Sequence, residues 1–264
     1  MSMTDQIPTP ETPPVAEKPD SLVELIKTIV YAVLLALCIR SVAFEPFNIP
    51  SGSMLPNLLV GDYLFVSKYS YGYSRYSFPM GIAPIEGRWW PGGEAGGPIR
   101  GTIVVFKLPS NNRTDYIKRV IGMPGDRIQM ISGRLYINGE KVEREYVDTY
   151  NATGAYGEPQ VLKRYVETLP GGIRHDILEL SDEQMLDNTP VFVVPSGHYF
   201  MMGDNRDNSQ DSRVMQMVGF VPAANILGPA RWRFFSIDDD FSIYQPWTWP
   251  GGIRWGRMFG SVHE

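Results

Sequence analysis

Two hydroxyls, Ser51 and Ser53, stand two positions apart in the turn "NIPSGSMLP" (48–56), directly ahead of an apolar strand pattern. A serine that attacks a carbonyl needs a base to take its proton and donors for the oxyanion that forms. The turn itself offers the donors. The backbone N–H of Ser53 and the hydroxyl of Ser51 can point at one carbonyl oxygen if the turn is tight, and Gly52 permits that approach. The base is harder to find. Of the three histidines, His175, His198 and His263, none lies in a catalytic motif, and His198 in "SGHYFMM" reads as the structural start of a strand.

The other available base is a lysine, in "TDYIKRVIGMPGD" (114–126). On a strand, Tyr116, Lys118 and Val120 share one face, while Ile117, Arg119 and Ile121 share the other. An ordinary lysine, with a pKa of about 10.4, is almost wholly protonated at neutral pH. Burial against apolar groups lowers that value by ~3–5 units, which makes a Ser-Lys dyad workable. Taken alone, a lysine on a strand is more simply a solvated charge, so Lys118 in isolation does not establish the dyad. A third stretch, "MMGDNRDNSQDSR" (201–213), is dense in Asp and Asn. It does not fit a helix–loop–helix calcium loop: counting from Asp204 or Asp207 puts Ser at the sixth position and no Glu at the twelfth. It reads either as a polar turn satisfying its own backbone, or as a support in which Ser209 orients Lys118 and Asp211 pairs with Arg213.

These residues must be held by the elements around them. Residues 1–20, rich in Pro, Thr and acid, read as a disordered tail. The apolar run that follows, bounded at 22–44, carries Lys27 and Arg40 near its ends and predicts one membrane-spanning helix. Two alternatives compete: a buried amphipathic helix, and a cleavable signal sequence ending at "SVA" (41–43). Arg40, just before that site, weighs against cleavage. Beyond residue 45 the pattern becomes short runs of period two, among them "YLFVS", "TIVVFKL", "DYIKRVIG", "DRIQMI", "RLYING", "HYFMM" and "ARWRFF". The expected fold is mainly β: an antiparallel sheet from 45–128 and 196–264, with a small β subdomain inserted at 129–195. "SG" (132–133) and "NG" (138–139) bracket a strand as hairpin turns. Two stretches share Trp-Pro-Gly-Gly, at 88–101 and 244–259, and read either as membrane-interface segments or as loops closed over the sheet.

Composition excludes other classes. The net charge of −5, with no basic stripe, argues against a nucleic-acid partner. The single cysteine, Cys38, rules out an intramolecular disulfide or a cysteine-based zinc site and reads as a small buried hydrophobe.

In this order and behind an apolar helix, "EPFNIPSGSMLP", "RGTIVVF", "DYIKRVIGMPGD" and "GDNRDNSQDSR" closely resemble the boxes of the bacterial type I signal peptidases, and the likeness extends through "GFVPAANILGPA" and "WPGGIRWGRMF". The resemblance implies the signal-peptidase type of antiparallel sheet. It also implies a membrane-anchored endopeptidase that removes signal peptides from exported preproteins after small-x-small sites, with a Ser-Lys dyad, no cofactor and no metal. By the same resemblance Ser53 matches the nucleophile and Lys118 the general base, while Ser51 completes the oxyanion hole with the Ser53 N–H. Ser209 matches the serine that positions the lysine, and Asp211 and Arg213 match the supporting pair. Ile49, Pro50, Met54, Leu58, Tyr116 and Ile117 fall where the family builds shallow pockets for small substrate residues, and the substrate strand is expected to add to a sheet edge there. The implied setting is the bacterial cytoplasmic membrane, with the catalytic domain on the outer face and lipid and the secretion translocon as further partners. This sequence departs from many members at Thr102, where they carry Asp, and in the longer loop "VMQMV" after Arg213.

Geometry favours the same place of action. Nine residues separate Phe44 from Ser53, a reach of at most about 32 Å, so the turn must lie near the surface the helix enters. A self-cleaving Ser-Lys regulator would need a DNA-binding domain that the first 45 residues do not supply. The alternative from another class is a non-catalytic, membrane-anchored protein that holds exported peptides at a sheet edge.

Overall fold

The computed structural model describes residues 21–78, 85–89, 97–154, 158–238 and 240–262. The expected tail (1–20), the centre of the first Trp-rich stretch (90–96) and His263 lie outside the described residues. The chain divides into two units, residues 1–38 and 39–264.

The first unit contains most of helix α1 (Ser21–Val42). Within it Leu22–Arg40 is a 19-residue window of mean hydropathy 2.3, about 28 Å of helix and close to the thickness of a bilayer's hydrocarbon core. Its charges near the N-terminus neutralise each other, Lys27 reaching Glu24 at 3.3 Å. The apolar side chains are exposed on every face, Leu22, Leu25, Val33, Leu34 and Leu35 among them, so this is not the amphipathic buried helix considered as an alternative. Cys38, expected to be buried, is exposed with them.

The second unit is built of strands. In chain order they are β1 (Phe44–Asn48), β2 (Asp62–Ser67), β3 (Tyr73–Ser74), β4 (Arg88–Trp89), β5 (Ile103–Lys107) and β6 (Asp115–Gly122). There follow β7 (Arg127–Ile131), β8 (Arg134–Ile137), β9 (Glu140–Lys141), β10 (Glu143–Thr153), β11 (Pro159–Leu169) and β12 (Ile173–Glu179). The last are β13 (Phe192–Val193), β14 (His198–Met202), β15 (Val221–Pro222), β16 (Ile226–Ser236) and β17 (Gly260–Ser261). One antiparallel sheet runs in the order β1-β2-β16-β5-β6-β14-β15, with β17 also on β16. Strand β16 pairs with β5 through Ile226–Pro229 and with β2 through Ala230–Ser236, with three register shifts along its length. Such irregularities bend and twist a strand, and they let β16 curl the sheet around the core. Where β16 crosses β2, a Cβ on Gly228 would collide with the Ser67 carbonyl, so only glycine fits.

The core lies on both faces of β6, as the period-two reading of that strand requires. Val120 and the half-buried Tyr116 pack with Val104, Phe106 and Met201. Ile121 packs with Phe200, Met202 and the apolar residues of β7 and β8. Ile117 meets Ile49, Met54, Leu58 and Ile103. The order β13-β7-β8-β9 forms a second sheet that shares the Ile121 cluster. The two expected turns are present, with Ser132 and Gly133 at φ 46° and 68°, and Asn138 and Gly139 at φ 57° and 88°.

Within the expected inserted β subdomain, β10-β11-β12 form a three-stranded sheet whose first two strands are 11 residues each. Strand β10 is exposed along nearly its whole length, so it has no apolar face to produce the alternation that reveals a strand. The first Trp-Pro-Gly-Gly run (90–93) lies outside the described residues, and in the second stretch Trp247 and Trp255 are more than half exposed rather than packed down as lids.

Candidate active site

The turn of Ser51 and Ser53 is a three-residue 3-10 helix, Gly52–Met54, between β1 and β2. Met54 and Leu58 anchor it, both fully buried in the cluster with Ile49 and Ile103. Ser51 precedes the helix in an extended conformation. Ser53 therefore lies in its first turn, where backbone N–H groups have no intrahelical acceptor and remain free to donate. The Ser51 and Ser53 hydroxyl oxygens are 3.4 Å apart.

Lys118, 65 residues further on, lies in the middle of β6. Its Nζ is 2.5 Å from Ser53 Oγ and donates to the Ile117 carbonyl at 3.0 Å. The side chain is almost wholly buried, with the ammonium 5.5 Å from the centre of the Tyr116 ring. Burial is the main cause that pulls its pKa down to about 8, opposed by the negative charges of Asp211 and Asp204 and aided by Arg213. A substantial fraction of the amine is thus neutral near pH 8 and able to accept a proton. His198 holds Ser196 O at the start of β14, and His175 is buried beside Glu167. Among the described residues neither is hydrogen-bonded to Ser53.

The segment after β14 braces this pair. Asn205 donates its backbone N–H to Ser53 O at 3.1 Å and its side-chain amide to Gly52 O at 3.0 Å. Asp204 accepts two hydrogen bonds from Arg119, at 2.8 and 2.7 Å, and a third from Asn57 at 2.8 Å. Neighbours on β6 thus serve different partners: Lys118 reaches the serine, and Arg119 fixes the segment that grips the serine's backbone. Asp211 and Arg213 form a fully buried two-pronged pair at 2.9 Å, and Asp211 Oδ2 also accepts from Gly203 N–H. Burial alone would raise the Asp211 carboxyl, but the Arg213 guanidinium holds it below the usual range. Ser209 is buried against Gly203 and Asp211, and among the described residues no hydrogen bond joins it to Lys118.

The model of the family "Signal peptidase, peptidase S26" matches residues 22–235, which include every residue named in this site. The chain belongs to that family. It is 40% identical over 254 residues to a signal peptidase I of Rickettsia typhi, covering 89% of this chain and 91% of the relative. It is 39% identical over 257 residues to one of Rickettsia canadensis, covering 90% and 92%. A crystal structure of a signal peptidase I from Enterococcus faecalis aligns at 26% identity over 50% of this chain and 95% of that one, with a TM-score of 0.29. As a family member the chain is an enzyme, a serine peptidase.

In this peptidase the expected pocket residues divide. Ile49, Met54, Leu58 and the half-buried Ile117 share one apolar cluster. Tyr116 packs on Phe106 and donates to Gln210 at 2.9 Å, and Pro50 is exposed. Arg119, Asp204, Asn205 and Asn57 were not read from the sequence as site residues. The signal was present in Arg119: a cation beside Lys118 on an apolar strand needs a buried acid, and the 204–211 stretch is rich in acids. Gly203 is the closest approach in the brace, since an added Cβ would fall 2.6 Å from Ser53 O and overlap Ser209 Oγ. Gly203→Ala is therefore expected to lower activity at least tenfold by shifting Ser53, and to lower the thermal midpoint. A cleavage assay alongside thermal unfolding checks this, and unchanged values in both would contradict the close packing.

Proposed function

We propose that the chain is a membrane-anchored endopeptidase that removes signal peptides from exported preproteins after small-x-small sites, with Ser53 as nucleophile and Lys118 as general base. The observation that carries the reading is the 2.5 Å contact between a buried Lys118 Nζ and Ser53 Oγ. In the first step Lys118 takes the Ser53 proton as Oγ bonds to the scissile carbonyl carbon, and the carbonyl oxygen becomes an oxyanion held by the Ser53 N–H and the Ser51 hydroxyl. Collapse breaks the C–N bond, and the Lys118 ammonium returns the proton to the departing amine. Water then attacks the acyl-enzyme with Lys118 again as base, releasing the signal peptide's new carboxylate and restoring Ser53.

In this reading Asp204 and Asn205 hold the turn, Asp211 and Arg213 hold the segment, and Ser209 lines the lysine's surroundings. Ile49, Pro50, Met54, Leu58, Tyr116 and Ile117 shape and back the subsites for small residues. Helix α1, long and apolar enough to cross a membrane, anchors the chain in the bacterial cytoplasmic membrane with the β unit on the outer face. Lipid and the secretion translocon are its neighbours there.

The test is incubation of the full chain in detergent with a preprotein bearing Ala-x-Ala, followed by mass spectrometry of the products. The expected result is a mature N-terminus beginning immediately after the second alanine. An uncut preprotein, or cutting elsewhere, overturns the reading. The same assay carries a pH prediction. Because the base is the neutral amine and its pKa lies at about 8, kcat/KM should rise roughly tenfold per pH unit below that value and level off above it. A rate that is flat from pH 6 to 9 would exclude Lys118 as the base.

A further inference from the structure

Three carboxylates from separate segments meet away from Lys118: Glu179 at the end of β12, Asp187 in the loop that follows, and Asp207 in the 3-10 turn Arg206–Asn208. One oxygen of each lies within 4.8 Å of the others. Glu179 and Asp187 are 1% and 0% exposed.

Each carboxylate has one oxygen tied and one free. Glu179 Oε1 accepts from Arg144 at 3.2 Å, and Asp187 Oδ2 from the Gln184 N–H at 2.6 Å. Asp207 Oδ2 accepts from the N–H groups of Leu180 and Ser181 at 2.7 and 3.3 Å. The remaining oxygens, Glu179 Oε2, Asp187 Oδ1 and Asp207 Oδ1, are buried without a hydrogen-bond partner. Buried acceptors are rarely left in this state.

The local charge is also unbalanced. Arg144 is the guanidinium bonded to Glu179, and it is shared with Asp182. Arg206 is taken by Glu167, and Arg213 by Asp211.

We propose that Glu179, Asp187 and Asp207 form a structural site for a hard divalent cation of the calcium type. The donors are all oxygen, which selects against soft metals. The three oxygens lie within 4.8 Å of one another, so one ion with bonds of ~2.4 Å can reach all of them, and a buried site whose ligands are protein carboxylates suits calcium better than magnesium, which usually keeps several waters. The tied oxygens fix each carboxylate with its free oxygen available, as supporting hydrogen bonds do at metal sites. The calcium loop excluded from the sequence drew every ligand from one run; here only Asp207 comes from that run. The bound ion fastens the end of β12 and the 180–187 loop to the turn two residues beyond Asn205, and so supports the brace on Ser53 without entering the chemistry. This site stands independently of the roles given to Ser53 and Lys118.

The test is thermal unfolding of the full chain in detergent at pH 8, first stripped with EDTA, then with added Ca2+ or Mg2+. Calcium at a hundredfold excess over its Kd should raise the midpoint by roughly 5–10 °C. The shift should be lost in Asp187→Asn and in Asp207→Asn. Calorimetric titration of Ca2+ into the stripped wild-type chain keeps the proposal testable if neither variant folds, and one saturable site is the expected result. No shift and no binding heat overturn the proposal, as does an equal shift in a folded variant. A shift with Mg2+ but not Ca2+ overturns the calcium-type assignment.

Discussion

Ser53→Ala and Lys118→Ala are each expected to reduce preprotein cleavage by about 10⁴-fold or more, and the double variant to lose no further activity, because a nucleophile and its base act as one unit. Lys118→Arg separates charge from basicity. A guanidinium stays protonated at any accessible pH, so it keeps the cation and cannot take the Ser53 proton. That variant should be as inactive as the alanine. Ser53→Ala removes one hydroxyl from a turn that the Met54 and Leu58 side chains and Asn205 already hold, so its thermal midpoint should stay within a few degrees of wild type. Measured rates with a small-x-small preprotein, beside unfolding curves, check all four variants. Wild-type-like cleavage by any of them would refute the dyad.

The largest effect on stability should come from Asp204→Ala. It strips two hydrogen bonds from Arg119 and one from Asn57, and strands a guanidinium whose side chain is 6% exposed. Breaking a buried pair from one side costs about 3–5 kcal/mol, which lowers the midpoint of a chain this size by roughly 6–20 °C. Replacing both partners with apolar residues, as in Arg119→Met with Asp204→Leu, should recover part of the loss, because no charge then remains buried and unpaired. Circular dichroism melting of the two variants beside wild type tests this. A single variant that melts with wild type would show that the pair contributes little.

Much of the large sheet was legible because its strands are buried on at least one face. "DYIKRVIG" reads as β6 residue for residue, and its alternation correctly sends residues 117 and 121 to one side and 116 and 120 to the other. The β10 strand was not legible, since a ribbon wet on both faces selects no apolar period. The approach of Lys118 to Ser53 was legible only as a resemblance, because spacing along one chain carries no information about which strands become neighbours. The brace was legible in part: Asp211 and Arg213 are two positions apart and announce each other, whereas Arg119 and Asp204 are 85 residues apart. The carboxylate cluster escaped the sequence for the same reason, its three members being gathered only by folding.

The grip of Asn205 on the Gly52 and Ser53 carbonyls also fixes an order of events in synthesis. The ribosome makes Ser53 first and Lys118 next, and reaches the asparagine that holds the serine's backbone only 152 residues after that serine. A nascent chain ending before Gly203 therefore carries both members of the proposed dyad without the clasp that holds the serine's backbone. On the proposed roles of Ser53 and Lys118, the protease is armed late, when most of its length already exists.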